Sequence, residues 1–163
     1  ARMLKGGEDI KFIARRMLIV ASEDIGNANP TALVLANSTF QSVQSVGMPE
    51  ARIILGQCAT YLAASEKSNA AYLAINEAME EVDRSGDSKV PIHLRNAPTK
   101  LMKEIGYGSE YKYPHDFPGS FISADYLPET LQNKQFYKPT DNGREASLKK
   151  RLQSLWQKLK TYS

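Results

Sequence analysis

The stretch that decides the reading is Pro91-Ile92-His93-Leu94-Arg95-Asn96-Ala97-Pro98-Thr99-Lys100-Leu101-Met102-Lys103-Glu104-Ile105-Gly106-Tyr107-Gly108. Pro91 and Pro98 each hold the residue before them in β or polyproline geometry, so the stretch enters extended. A short helix starting at Asn96 or Ala97 then carries Leu101, Met102 and Ile105, and Gly106 stands where a left-handed cap is wanted. Ile92 and Leu94 alternate with His93, Arg95 and Asn96, the pattern of a fixed connector whose apolar side is buried. Upstream of it the chain reads as regular helix. Downstream it becomes an aromatic-rich irregular run.

The chain has 163 residues, enough for one ordinary domain or a domain with an arm. Hydrophobic residues at 42% and charged residues at 24% are globular values that allow a core. The single cysteine, Cys58, rules out an intramolecular disulfide framework and fits a reducing compartment. No run of about 18 apolar residues is present to cross a membrane, and no signal peptide opens the chain. It begins Ala1-Arg2-Met3 and is already helical in character by Arg2, as expected of a piece excised from something longer.

Upstream, Glu8 and Asp9 suit the positive end of a helix running to about Ala21, with Ile10, Ile13, Met17 and Val20 as its stripe. Arg15 and Arg16 on that helix admit two readings: solvent exposure, or an ion pair to Glu23 or Asp24 that locks the Ser22–Gly26 turn. Asn29-Pro30 is an N-cap followed by proline at the first helical position. The helix it opens should stop at Gly47 and turn Leu33, Ala36, Phe40 and Val43 inward. After Pro49, the expected packed side is Ile53, Ile54, Gln57, Cys58, Tyr61 and Leu62. Ser68 or Asn69 caps a fourth helix to about Ser85, with Tyr72, Ile75, Met79 and Val82 as its stripe. Glu77, Glu80, Glu81 and Asp83 read as its solvated face rather than as a metal site, which needs converging oxygens.

Downstream of Gly106 come Tyr107, Tyr111, Tyr113, Phe117, Phe121, Tyr126, Phe136 and Tyr137, among prolines and glycines and without sustained periodicity. Phe121–Leu127 is at best a short β segment. Such aromatic density argues against disorder and for an arm that docks on the bundle or on a neighbouring subunit. A last helix from about Asp141–Arg144 to Leu159 presents Leu148, Leu152, Leu155, Trp156 and Leu159 as a seam. The reading is therefore all-α: a bundle of about five to six helices over 1–106, and an arm plus a basic amphipathic helix over 107–163.

Chemistry is sparse. There is no phosphate-binding loop and no dinucleotide fingerprint, and two histidines with one cysteine do not complete a metal site. No catalytic, cofactor-binding or metal-binding residue is expected in this chain. Charge is uneven: residues 1–85 hold 8 Lys/Arg against 10 Asp/Glu, and residues 86–163 hold 13 against 8. The basic excess gives a candidate nucleic-acid set of Lys149, Lys150, Arg151, Lys158 and Lys160, with Arg95, Lys100 and Lys103, and Tyr107, Tyr111 or Tyr113 as stacking rings. The alternative is a solvated helix with packing tyrosines.

Six blocks in order carry a family resemblance: Gly6-Gly7-Glu8-Asp9, Phe12-Ile13-Ala14-Arg15-Arg16, Ala21-Ser22-Glu23-Asp24-Ile25-Gly26, Lys67-Ser68-Asn69, the Pro91–Gly108 stretch and Tyr126-Leu127-Pro128. Together they resemble the C-terminal region of the replication-associated recombination (RarA/MgsA) AAA+ ATPase family, whose eukaryotic relative is the Werner-helicase-interacting protein. Arg15, Arg16, Glu23, Asp24, His93, Arg95, Asn96 and Pro98 are the family-motif residues. The resemblance implies a domain similar to the clamp-loader collar, which holds the protein as a homotetramer. It also implies an upstream ATPase module that takes ATP and Mg²⁺, so this region is not itself the enzyme. The implied setting is DNA replication, repair and recombination at stalled forks in the cytoplasm, associated with the nucleoid. Implied partners are sister copies, single-stranded or forked DNA, and replisome proteins; no membrane is implied.

Overall fold

A computed structural model describes residues 1–156 and 159–162. Among them are seven α-helices and no strand: α1 (Arg2–Lys5), α2 (Ile10–Val20), α3 (Thr31–Val46), α4 (Ala51–Ala64), α5 (Ala70–Ser85), α6 (Lys100–Glu104) and α7 (Glu145–Trp156). The chain is all-α, and the β segment expected at Phe121–Leu127 is irregular backbone instead. Among the described residues no helix is long and apolar enough to cross a membrane. The chain divides into two compact units, residues 1–76 with 137–150, and residues 77–136 with 151–163.

The first unit holds the core. One cluster joins Ala21, Ile25, Ala32, Ala36, Cys58 and Leu62; a second joins Ile13, Ala14, Val43, Ala51 and Leu55, with Leu4, Ile10, Met17, Phe40 and Ile54 packed against it. Asp9 caps α2 by accepting from Lys11 N at 3.0 Å. The helix then widens into a π turn at Ala21–Ile25 and breaks at Gly26, which has φ +50°.

Two helices are rotated from their expected faces. In α3 Leu33 is exposed, and Ala32, Ala36, Thr39 and Val43 face inward. In α4 Ile53, Gln57 and Tyr61 are exposed, while Ala51, Leu55, Cys58 and Leu62 are buried. In α3 the small inward residues let a neighbouring helix axis approach closely and leave Leu33 at the margin; in α4 the inward side is Leu55, Cys58 and Leu62, and the small residues Gly56, Ala59, Ala63 and Ala64 face solvent. Asn29 also departs from its expected role. Its side-chain amide donates to Tyr61 Oη and Ser65 Oγ, each at 3.1 Å, tying the start of α3 to the end of α4 rather than capping its own helix.

The returning segment 137–150 closes this unit around Glu145, a fully buried carboxylate. Glu145 Oε2 accepts from Ser68 Oγ at 2.6 Å, Thr140 N at 2.9 Å and Thr140 Oγ1 at 2.7 Å; Oε1 accepts from Tyr137 Oη at 2.7 Å. Ser68 Oγ also caps α5 by accepting from Ala70 N at 3.2 Å. Next to Glu145, Arg144 N donates to Ala28 O at 2.8 Å. Gly143 sits at φ +51°, where an added Cβ would lie 2.3 Å from Ala28 O and 2.5 Å from Glu66 Oε2. Gly143→Ala therefore meets both a left-handed backbone and a clash with main chain. It is expected to lower stability by more than about 1 kcal/mol in urea unfolding.

Burial pushes the Glu145 carboxyl up, but the hydroxyls of Ser68 and Tyr137 and the two donors of Thr140 outweigh it and hold it below its ordinary value. Its stabilising contribution is thus complete above the unfolded pKa and is lost as pH falls through the folded one. The urea midpoint should fall as pH is taken from about 6 to about 3. Tyr137, buried and hydrogen-bonded to that carboxylate, is pushed up to about 12.

In the second unit the connector is fixed, but by hydrogen bonds. Ile92 is exposed rather than buried. Arg95 donates from Nε to Val90 O at 2.7 Å and from Nη1 to Tyr107 Oη at 3.2 Å, with its guanidinium 5.1 Å from the Tyr107 ring centre. Gly108 N closes the loop onto Ile92 O at 3.1 Å. The short helix starts at Lys100, later than Asn96 or Ala97, because Thr99 Oγ1 caps it by accepting from Met102 N at 3.3 Å. Gly106 takes the expected left-handed conformation, at φ +90°. Farther on, Asp125 accepts from Leu127 N at 3.1 Å and Asn133 N at 2.7 Å, and Phe121 meets Trp156 edge-on at 5.3 Å.

Candidate functional site

The site is a helix face. From one end of α5 to the other, Tyr72, Ile75, Met79 and Val82 recur at intervals of three and four, which sets them on one side of the helix. That side is turned to solvent, with the four side chains exposed to 42%, 58%, 58% and 59%. The buried side is small and polar, and one further large residue, Leu73, is exposed off the row. Ala70 is buried, Ala71, Ala74 and Ala78 are half-buried, and Glu81 is buried. Glu81, expected on a solvated face, instead pairs with Lys134 and Arg84. Lys134 first, then Arg84, holds its carboxyl below the ordinary value.

The expected stripe therefore exists but faces outward. Fully burying a side chain of this size is worth about 1.5–3 kcal/mol, so the exposed row leaves a large hydrophobic gain unrealised in a single copy. A second apolar surface lies in the second unit. Leu101 and Ile105, one turn apart on and after α6, are exposed, as are Val90 and Ile92.

The structure treats the basic candidates unequally. Lys149 reaches Asp141 Oδ2 at 3.0 Å, and Lys160 lies 4.7 Å from the Trp156 ring centre. Arg95 is engaged with Val90 and Tyr107, and Lys100 is 3.9 Å from Glu104. Lys103, Lys150 and Arg151 face solvent. Lys158 lies outside the described residues. An open cleft of about 640 Å³ in the second unit is lined by Lys89, His93 and Arg95 together with Asp125 and Glu129, a mixture with no preference for anions.

Among the motif residues, Arg15 and Arg16 are exposed and form no ion pair with Glu23 or Asp24 among the described residues. The Ser22–Gly26 turn is instead a π turn closed by Gly26 N donating to Ala21 O. Glu23 is half-buried and Asp24 exposed; His93 is half-buried, and Asn96 and Pro98 are exposed.

Comparison with known proteins places this geometry in a lineage. The family model described as "MgsA AAA+ ATPase C terminal" matches residues 1–156. The chain is 44% identical over 154 residues to Replication-associated recombination protein A of Coxiella burnetii, covering 94% of this chain and 35% of that protein. It is 41% identical over 153 residues to the protein of the same name in Escherichia coli, covering 93% and 34%. With ATPase WRNIP1 of Dictyostelium discoideum it shares 46% identity over 137 residues, covering 83% and 16%. The chain thus spans about a third or less of the length of these relatives. With all but its last seven residues matched by the family model, the chain belongs to the MgsA-type AAA+ ATPase C-terminal family.

Proposed function

We propose that this chain is the assembly module of a DNA-acting AAA+ ATPase and holds its copies together as a homotetramer. The observation that carries the reading is α5, which buries alanines and a paired glutamate while turning Tyr72, Ile75, Met79 and Val82 outward. A row of large apolar side chains left in water across about three helical turns needs a partner surface. The separate surface at Leu101 and Ile105 supplies a second place for contact, and a closed tetramer with two kinds of two-fold axis needs two. In this reading the domain acts like a clamp-loader collar, and ATP with Mg²⁺ belongs to a module upstream. Sedimentation and light scattering of the chain across concentration test it. A four-chain mass is expected, and a single-chain mass at every concentration would overturn the reading.

A second reading, direct contact with single-stranded DNA, is supported by the solvent-facing Lys103, Lys150 and Arg151. Two to three phosphate contacts predict a loss of about tenfold in affinity over a fourfold rise in salt. Replacing Lys150 and Arg151 with alanine should flatten that response. A response unchanged in the double variant would assign binding elsewhere.

A further inference from the structure

We infer that α5 lies antiparallel against α5 of a second copy, across a two-fold axis near residue 77. The inference rests on the assembly reading above and adds which surfaces meet and in which direction. Two observations carry it.

The first is spacing. Five large apolar residues of α5 are exposed; Leu73 points away from the rest, and the four that share a face stand at 72, 75, 79 and 82, symmetric about their midpoint. Antiparallel packing sets Tyr72 opposite Val82 of the second copy and Ile75 opposite its Met79, and the two-fold axis repeats both pairs. Every large residue of the row then meets another. A contact of this kind uses one patch on both copies and closes on itself.

The second is charge, which excludes the parallel alternative. Residues 70–76 carry no charged side chain, whereas 77–83 carry Glu77, Glu80, Glu81 and Asp83. Parallel packing would set the acidic half of one helix beside the acidic half of the other. Antiparallel packing instead sets Glu80 and Asp83 beside the uncharged half of the second helix, near Ala74 and Ala71, and keeps the two acidic halves apart. Glu81 takes no part, because Lys134 and Arg84 already hold it.

Cysteine pairing tests the direction. Ile75→Cys and Met79→Cys chains are prepared singly and co-expressed, then treated with a short thiol cross-linker and read as one-chain or two-chain bands. Cys58 can stay, since it is fully buried. The expected result is a two-chain band from the co-expressed pair stronger than from either variant alone; with Tyr72→Cys and Val82→Cys, where antiparallel packing holds identical residues about 15 Å apart along the helix, only the co-expressed pair should link. Tyr72→Cys and Val82→Cys variants that each link to themselves would overturn the antiparallel contact. Full assembly with no link in any combination would overturn the α5 contact while leaving assembly standing. A single-chain mass for the unsubstituted protein would remove the reading on which the contact rests.

Discussion

Met79→Asp is expected to break the assembly into smaller species while leaving each chain folded. Met79 is 58% exposed on α5, so the substitution removes little from the interior of its own copy. Across the proposed contact it removes an apolar side chain worth about 1.5–3 kcal/mol. It also adds a carboxylate beside Glu80 and Asp83. A two-fold axis counts the change twice, giving about 3–6 kcal/mol, or roughly a hundred- to ten-thousand-fold weaker association. Sedimentation across concentration reads that shift. The urea midpoint of the dissociated chain should match that of the unsubstituted chain at equal low concentration within about 0.5 kcal/mol, as for a surface substitution. Met79→Leu, similar in volume and polarity, should assemble normally. If Met79→Asp assembles as the unsubstituted chain does, α5 is not the contact.

Glu145→Ala is expected to be the most damaging single change to the first unit. The carboxylate gathers Ser68, Tyr137 and both donors of Thr140 in a fully buried place. Removing it leaves those donors without their acceptor and opens a space among them. Each hydrogen bond to a charged group contributes about 1.5–3 kcal/mol, and the orphaned donors add their own desolvation, but the losses overlap. A net cost of about 3–5 kcal/mol is expected, a large share of the roughly 5–15 kcal/mol that holds a domain folded. Tyr137→Phe deletes one donor and should cost about 1–2 kcal/mol. Urea unfolding followed by circular dichroism ranks the two. Equal midpoints for Glu145→Ala and the unsubstituted chain would show that the carboxylate does not hold the unit closed.

The helices were legible because their boundaries are written locally. Asp9, Gly47, Ser68 and Gly106 each mark an end through the chemistry of a cap or a left-handed backbone. Facing was harder to read. A stripe of large apolar residues looks like core, yet in α3, α4 and α5 alanine or another small residue forms much of the buried side, and Leu33, Ile53 and Ile75 are exposed. Close approach of helix axes depends on the neighbour as much as on the helix, and periodicity within one segment does not contain the neighbour. The same limit hid Glu145. It reads as an acid in the first turn of a basic helix, and its partners Ser68 and Tyr137 come from elsewhere in the chain. Glu81 reads as solvated for the same reason, since its partner Lys134 is 53 residues away. The signal that could have found Glu145 is Gly143, a glycine two residues before it at the mouth of a helix, where close backbone approach is a standing use of that residue.

The way the first unit is closed also sets an order of events during synthesis. Its helices α2 to α4 leave the ribosome early, but the strap at 137–150 that caps residues 26–29 and 68 emerges only after residues 77–136 of the second unit have been made. The front of the molecule must therefore wait for its rear, with its seam open to solvent in the meantime. A chain ended after residue 136 would complete every helix of that early group and still lack the piece that locks them.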